Sequence, residues 1–207
     1  MRIILCTLPL LGLLACGGGS DQAPERAVAS SLVYTEPAST GWRLVKAPES
    51  TATRVVLSLV GPTGTTARGA GFILQADTSR VVFGTFAEGS EASNTLYIKD
   101  GGVFDLYSLP DGSPGTPDDP ILLGGYLKGG ALNAGSFAKQ TWVGTPRAVD
   151  VPLFHVAVEL KAGTLAGDVV PLTVLKAKIL PAEFAGNTWH ERAMRPITIA
   201  VGTLAAR

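Results

Sequence analysis

From about Leu32 onward, the sequence alternates apolar and polar residues, and turn-forming residues interrupt the alternation about every eight to twelve residues. In the run 54–60, the alternation places Val55, Leu57 and Leu59 on one face of a strand. Helical periodicity is nearly absent, and the chain's 25 glycines and 14 prolines suit a fold that turns often. The pattern therefore predicts an all-β fold, a single β-sandwich of about nine to eleven strands.

The strand-like segments number about eleven. They span residues 42–46, 54–60, 71–76, 81–86, 95–99, 103–108, 121–127, 135–139, 153–160, 169–178 and 197–201. Pro171 lies inside the segment 169–178 and predicts an edge strand or a bulge there, because proline cannot donate a hydrogen bond to a ladder.

The N-terminal residues differ in character from the rest of the chain. Arg2 is the only charged residue before Asp21. Residues 3–15 form an apolar run of about 13 residues, shorter than the roughly 20 that a transmembrane helix needs. This pattern predicts a signal peptide over residues 1–15. The simpler interpretation is an ordinary secretory signal, in which the cysteine that follows it carries no lipid.

The sequence Leu13-Leu14-Ala15-Cys16, followed by three glycines, resembles the lipobox of bacterial lipoproteins. The resemblance implies a diacylglycerol on the Cys16 thiol, cleavage before this residue, and acylation of the new amino group, for example with palmitate. Each buried methylene of an acyl chain adds about 0.8 kcal/mol of membrane affinity. Several acyl chains on one residue therefore attach the protein firmly to the membrane. The membrane is thus an expected partner through Cys16.

Three further expectations concern the leader and the residues that follow Cys16. Residues 16–31 are small and polar, which predicts a flexible linker before a domain over 32–207. Gly17 stands where an aspartate would imply retention in the inner membrane, so the bacterial outer membrane is the expected location. Cys6 is lost with the leader, so the mature chain can form no internal disulfide.

The chain has two histidines, and neither lies in a complete catalytic motif. Around His155, alternation puts Phe154 and Val156 toward the core and predicts that His155 and Glu159 point outward. Polar residues are normal on a half-exposed strand. A metal or acid–base pair formed by His155 and Glu159 is the functional alternative.

Two partial motifs also fail. The sequence 190–194 begins like the zinc-protease motif His-Glu-x-x-His, but Met194 occupies the second ligand position, and a surface loop is predicted instead. Gly69 and Gly71 do not begin a dinucleotide fingerprint, because Leu74 replaces its third glycine. No Gly-x-Ser-x-Gly occurs either. We therefore predict a protein that is not an enzyme and uses no cofactor.

Charge points to no particular class of ligand. The chain has 17 basic and 17 acidic residues, so losing Arg2 leaves a side-chain charge of −1, and no basic stripe indicates nucleic acid. Asp111, Asp118 and Asp119 lie in a tract rich in proline and glycine that predicts a long surface loop. Their spacing matches no known calcium motif, which favours solvated turn residues and leaves calcium binding open.

The three tryptophans are the remaining candidates for a binding site. Trp42, Trp142 and Trp189 adjoin polar or turn-forming residues, and Trp189 is expected to be the most exposed. Such rings could stack on sugars. A large aromatic near a strand end also commonly closes the open end of a sandwich, and this packing interpretation is the alternative.

Three runs of the sequence resemble the cohesin and carbohydrate-binding-module group of jelly-roll sandwiches. They are Val55-Val56-Leu57-Ser58-Leu59, Gly71-Phe72-Ile73-Leu74-Gln75 and Leu153-Phe154-His155-Val156-Ala157-Val158. Cohesins bind dockerin partners through a sheet face, and related modules bind polysaccharide. No diagnostic residue of either role can be matched in this sequence.

These observations favour a non-catalytic cell-envelope lipoprotein whose sandwich binds or scaffolds a protein partner. One alternative is a polysaccharide-binding module that uses exposed aromatic residues. A second is an envelope hydrolase whose carboxylates, such as Glu159 and Glu191, are brought together by folding.

Overall fold

The computed structural model describes residues 25–84, 98–100, 121–138, 146–184 and 190–207. The described residues form short strands and one four-residue helix. In chain order these elements are β1 (Leu32–Thr35), β2 (Arg43–Lys46), β3 (Arg54–Val60), β4 (Thr66–Ala76), β5 (Val81–Phe83), β6 (Ile98–Asp100), β7 (Ile121–Lys128), β8 (Ala131–Ala138), β9 (Arg147–Ala148), β10 (Phe154–Leu160), β11 (Val169–Val170), β12 (Leu172–Pro181), α1 (His190–Ala193), β13 (Arg195–Pro196) and β14 (Thr203–Ala206).

The described strands form three antiparallel sheets. A five-stranded sheet has the order β2-β3-β10-β5, with β6 also paired to β10. A six-stranded sheet has the order β13-β12-β4-β8-β7, with β9 also paired to β4. The third sheet, β1-β14-β11, has three strands and joins the two ends of the domain.

One hydrophobic core lies between the sheets. The rings of Phe72 on β4 and Phe154 on β10 stack across it, with centroids 5.3 Å apart and an interplanar angle of 27°. Leu57 from the five-stranded sheet, Leu132 from the six-stranded sheet and Leu204 from the three-stranded sheet belong to the same buried cluster. Two sheets packed face to face over one core make a β-sandwich, which confirms the predicted fold class.

The strongest alternation in the sequence corresponds to real strands. The predicted segment 54–60 is β3, the segment 153–160 contains β10, and the segment 71–76 is the second half of the longer strand β4. The short strands β1, β9 and β14 were not predicted. The predicted strand 103–108 lies outside the described residues.

The predicted strand 197–201 is wrong. In its place, β13 ends at Pro196 and β14 begins at Thr203. Between them, Ala200 forms an isolated parallel bridge with Arg43, in which its amide donates to the Trp42 carbonyl. The segment buries Ile199 and touches the edge of the five-stranded sheet without forming a ladder.

Pro171 separates two strands that belong to different sheets. β11 is at the edge of the three-stranded sheet, and β12 pairs with β4 in the six-stranded sheet. Because proline has no amide hydrogen, the ladder cannot continue through this position. The proline therefore marks the point at which the chain passes from one sheet to the other.

The ordered domain begins earlier than the predicted boundary at Leu32. Val28 forms an antiparallel bridge with Leu165, and the Ala29 amide donates to the Thr164 carbonyl over 2.8 Å. Arg26 makes an ion pair with Asp168, with 2.6 Å between the charged atoms. Residues 26–31, which the sequence placed in the linker, are thus part of the fold.

Candidate binding face

The outward side of the six-stranded sheet is here called the open face. It includes the side chains of Ile73, Gln75, Phe137, Lys176 and Lys178, whereas Leu180, which is opposite Gly69 on the same side, is buried. Phe137 on β8 is opposite Gly69, whereas Lys178 and Lys176 on β12 are opposite Gly71 and Ile73. With strands about 4.8 Å apart and a rise of about 3.4 Å per residue, the backbone of Phe137 lies roughly 12 Å from that of Lys178 and roughly 17 Å from that of Lys176.

Phe137 lies flat on a strip of glycines at the centre of the open face. A Cβ atom added to Gly69 would lie 2.5 Å from Cδ1 of this ring, and one added to Gly71 would lie 2.8 Å from Cζ. A Cβ atom on Gly135 would also overlap the ring. The ring therefore occupies the space that three side chains would otherwise fill, and it is still only partly buried.

Glycine weakens a strand, and an aromatic ring from a neighbouring position can restore cover to the bare backbone. This packing explains the run Gly69-Ala70-Gly71, which the sequence analysis considered only as a nucleotide loop. Two glycines at alternate strand positions are the sequence signal of such a flat strip. The sequence did not reveal which aromatic residue would lie on it.

The open face is cationic and partly apolar. The strands β4, β8 and β12 contain no aspartate or glutamate, whereas Lys176 is exposed and Lys178 is partly exposed. A bulge between Val174 and Lys176 leaves the Leu175 side chain 55% exposed at the margin of the face. An aromatic ring, an aliphatic side chain and two amines are thus presented on one sheet.

His155 points away from the core, as predicted, but its expected exposure to solvent is wrong, because this side chain is 8% exposed. The outward side of the five-stranded sheet is also buried at this position. Ser58 lies on the neighbouring strand β3, and its Oγ is 2.9 Å from Nδ1 of His155. Oε1 of Glu49, in the connection between β2 and β3, lies 3.5 Å from the same nitrogen.

Serine, histidine and glutamate could suggest a nucleophilic triad, but the geometry does not fit one. In such a triad the histidine contacts the serine through one ring nitrogen and the carboxylate through the other. Here Ser58 and Glu49 both approach Nδ1. Ser58 is also buried, so the cluster acts as a structural polar network beneath the surface.

The structure does not bring His155 and Glu159 together. They are four residues apart on one strand, a separation of roughly 13 Å. Oε1 of Glu159 instead lies 3.5 Å from NH1 of Arg54. The side chain of Glu191, the other carboxylate considered for hydrolysis, lies outside the described residues, although its backbone forms part of the short helix α1.

Among the described residues, no three His, Cys, Asp or Glu side chains are grouped as a metal site requires. The loop that carries Asp111, Asp118 and Asp119 lies outside those residues. The helix α1 has four residues, and no described helix has the length and apolar character needed to cross a membrane.

Trp42 is the only predicted binding residue that the described ranges include, and it is 9% exposed. It belongs to the core cluster, the position given by the packing interpretation. Trp142, Trp189 and Cys16 lie outside the described residues, so the roles predicted for them stay predictions. Phe137, which the sequence analysis did not consider, is the aromatic residue on the open face.

The fold defines the chain as an all-β sandwich domain. No family model matches it, and no curated protein does either. Among solved structures, it is similar to the sixth cohesin of scaffoldin B from Acetivibrio cellulolyticus, solved in complex with a dockerin. That similarity has a TM-score of 0.43 at 12% identity and covers 79% of this chain and 97% of the cohesin.

Two further cohesins show the same degree of similarity. The cohesin module of a family 33 glycoside hydrolase from Clostridium perfringens has a TM-score of 0.41 at 10% identity, covering 78% of this chain and 98% of the module. A type II cohesin from Bacteroides cellulosolvens has a TM-score of 0.38 at 14% identity, covering 80% and 98%. Similarity at this level carries no argument about what this chain binds.

Proposed function

We propose that this protein is a lipid-anchored, non-catalytic binding module of the bacterial cell envelope. It binds a protein partner through the open face. The observation that carries the binding role is Phe137 on its glycine strip, on the same side of the sheet as Lys176 and Lys178. The lipobox around Cys16 supports the anchor, and the outer membrane is the proposed location.

The chemistry of the open face defines the kind of partner. Aromatic residues with well-packed surroundings commonly provide most of the binding energy at protein interfaces. Lysines with no carboxylate on the same strands favour a partner of opposite charge and speed its association. We therefore expect a protein that presents an apolar contact surrounded by aspartate or glutamate.

Capture of proteins from detergent-solubilised envelopes tests this assignment. The lipidated full-length chain should retain a specific protein, and the variants Phe137→Ala and Lys176→Glu with Lys178→Glu should lose it. A matched control combines Lys46→Glu with Lys161→Glu, which makes the same change in charge at exposed positions on other elements. Equal capture by the face variants and the control would contradict the proposed site.

The anchor has its own test. Mass spectrometry of the native product should find a mature chain that begins at a lipidated Cys16, and Cys16→Ser should release the domain from membranes. An intact leader or an unmodified thiol would overturn the envelope assignment without bearing on the open face.

Polysaccharide binding is a second candidate function, favoured by the orientation of the Phe137 ring. A ring that lies along a sheet can present one face for stacking on a sugar. If this candidate is correct, polysaccharide should retard the domain in affinity gels and Phe137→Ala should abolish the shift. Trp189→Ala tests the site predicted from sequence in the same gels.

A further inference from the structure

The N-terminal segment is held on the domain by a network of charged groups and backbone hydrogen bonds. Asp168 accepts from Arg26 through one oxygen and from Arg80 through the other, at 2.6 and 3.1 Å. The Arg26 guanidinium, followed by Arg80, lowers the pKa of the Asp168 carboxyl. The Arg26 guanidinium also donates to the Ala166 carbonyl at 2.6 Å. This network fixes the place at which the chain joins the domain.

Large apolar side chains are exposed around this place. Val28 is 63% exposed, and its bridge partner Leu165 is 37% exposed. On the adjoining three-stranded sheet, Ala205 of the central strand β14 is paired with Val33 on β1 and with Val169 on β11. Val33 is 46% exposed and Val169 is 57% exposed. We call Val28, Val33, Leu165 and Val169 the anchor-side surface.

The concentration of these residues is informative. Eight large apolar side chains are exposed in the described part of the chain, and the anchor-side surface contains four of them. Single exposed apolar residues are ordinary, but a group of them indicates a surface that contacts something apolar. Val28 and Leu165 form the bridge that holds the N-terminal segment, and Val33 and Val169 lie on the adjoining strands β1 and β11. The position of the group relative to the anchor therefore indicates what it contacts.

Only residues 17–24 separate Cys16 from Glu25, the first described residue. Even a fully extended chain of this length spans at most about 30 Å. The proposed lipid anchor therefore limits the distance between Glu25 and the bilayer to about 30 Å, and the residues that follow, Arg26 and Val28, are the described residues most restricted by it.

We propose that the anchor-side surface rests on the lipid bilayer beside the anchor and so fixes the orientation of the domain. The inference depends on the lipid attachment in the proposed function but not on the partner of the open face. Aliphatic side chains of this kind enter the boundary between headgroups and acyl chains. A second contact of this type also strengthens membrane attachment.

The cysteine content makes a direct test possible. Cys6 leaves with the leader and the Cys16 thiol is blocked by lipid, so an introduced cysteine is the only reactive thiol of the lipidated protein. Val28→Cys and Val169→Cys are labelled with an environment-sensitive fluorophore. Leu175→Cys, 55% exposed in the bulge of β12, is the matched control. All three are reconstituted into vesicles of phosphatidylethanolamine and phosphatidylglycerol.

We expect the labels at positions 28 and 169 to shift to the blue and to be quenched by brominated acyl chains. The label at position 175 should remain accessible to iodide in the water. Labels at 28 and 169 that iodide quenches as strongly as the control would overturn the inference. Labels shielded from iodide but insensitive to brominated lipid would also overturn it and would indicate a second copy of the chain as the occupant.

Lipidation is checked in the same samples by mass spectrometry. An unmodified Cys16 overturns the lipid anchor and this inference together. A lipidated Cys16 with water-exposed labels overturns only the inference. A second variant combines Val28→Ser and Val169→Ser with a label at Val33→Cys. Compared with Val33→Cys alone, iodide should quench this label more strongly, and the thermal unfolding midpoint should be unchanged.

Discussion

The two large sheets of the sandwich have outer faces with opposite properties. On the five-stranded sheet, Val56, Ser58, His155 and Ala157 point away from the core and are nonetheless buried; we call them the covered face. On the six-stranded sheet, the open face leaves Gln75 and Lys176 exposed and Phe137 partly exposed. Polar groups on the covered face pair with each other, whereas those on the open face are directed at solvent.

This difference shows why the residue type alone is a poor guide to function. His155 is the residue that chemistry would first consider, but burial and its contacts with Ser58 and Glu49 give it a structural role. Phe137 has no reactive group, but its place on three glycines presents its ring on the open face, where we propose that a partner binds. Substitutions on each face can test this contrast.

The largest effect is expected from a charge on the covered face. Val56→Asp places a carboxylate at a buried position, and we expect a loss of roughly 3–5 kcal/mol in the free energy of unfolding. The matched change on the open face, Ile73→Asp, lies at a partly exposed position beside Lys176 and should cost less than about 1 kcal/mol. Urea denaturation of both variants measures this difference. Similar losses would show that the two faces are equally covered.

A buried hydroxyl of the three-stranded sheet should have the next largest effect. The Tyr34 hydroxyl donates to the Leu44 carbonyl at 3.0 Å and accepts from the Gly202 amide at 2.7 Å. Tyr34→Phe leaves both backbone groups without this partner, and we expect a loss of about 1–3 kcal/mol at neutral pH. Thermal unfolding of the variant and the parent provides the comparison.

The same residue predicts a dependence on alkaline pH. Burial raises the pKa of Tyr34 from 10.0 to about 12, so the folded state favours the neutral phenol. Its stabilising contribution is complete below pH 10.0 and is lost as the pH rises toward about 12. Stability measured across this window should fall more steeply in the parent than in Tyr34→Phe. Parallel curves would contradict the assignment.

A smaller effect is expected for the polar network on the covered face. Ser58→Ala removes the 2.9 Å contact with His155 and should cost about 1 kcal/mol. Any binding measured through the open face should be unchanged, since Ser58 is buried on the other sheet. A loss of partner binding with an intact fold would give the covered face the functional role assigned to the open one.

The smallest effect on stability is expected from the lysines of the open face. Lys176→Ser with Lys178→Ser should change the free energy of unfolding by about 0.5 kcal/mol or less. The same pair should slow association with an acidic partner and weaken its dependence on salt concentration. Surface plasmon resonance at two ionic strengths measures both quantities. An unchanged salt dependence would show that charge does not guide the partner to this face.

Strand length explains part of the accuracy of the sequence predictions, although the four-residue strand β2 was also found, as the segment 42–46. The seven-residue strands β3 and β10 and the eleven-residue strand β4 were found because several apolar positions repeat within each. β1 and β14 have four residues each and contain too few repeats for a period to be recognised. Their pairing depends on residues more than 160 positions apart, such as Leu32 with Ala206.

The local sequence was sufficient to determine an all-β chain and the inward positions of Phe154 and Val156, and it predicts lipid attachment at Cys16, which stays a prediction. Side-chain alternation and a short motif are local properties that need no knowledge of the fold. Only the tertiary structure decided that His155 is covered and that Phe137 lies on three glycines. Alternation divides a strand into two faces, but what lies against each face depends on contacts between distant parts of the chain.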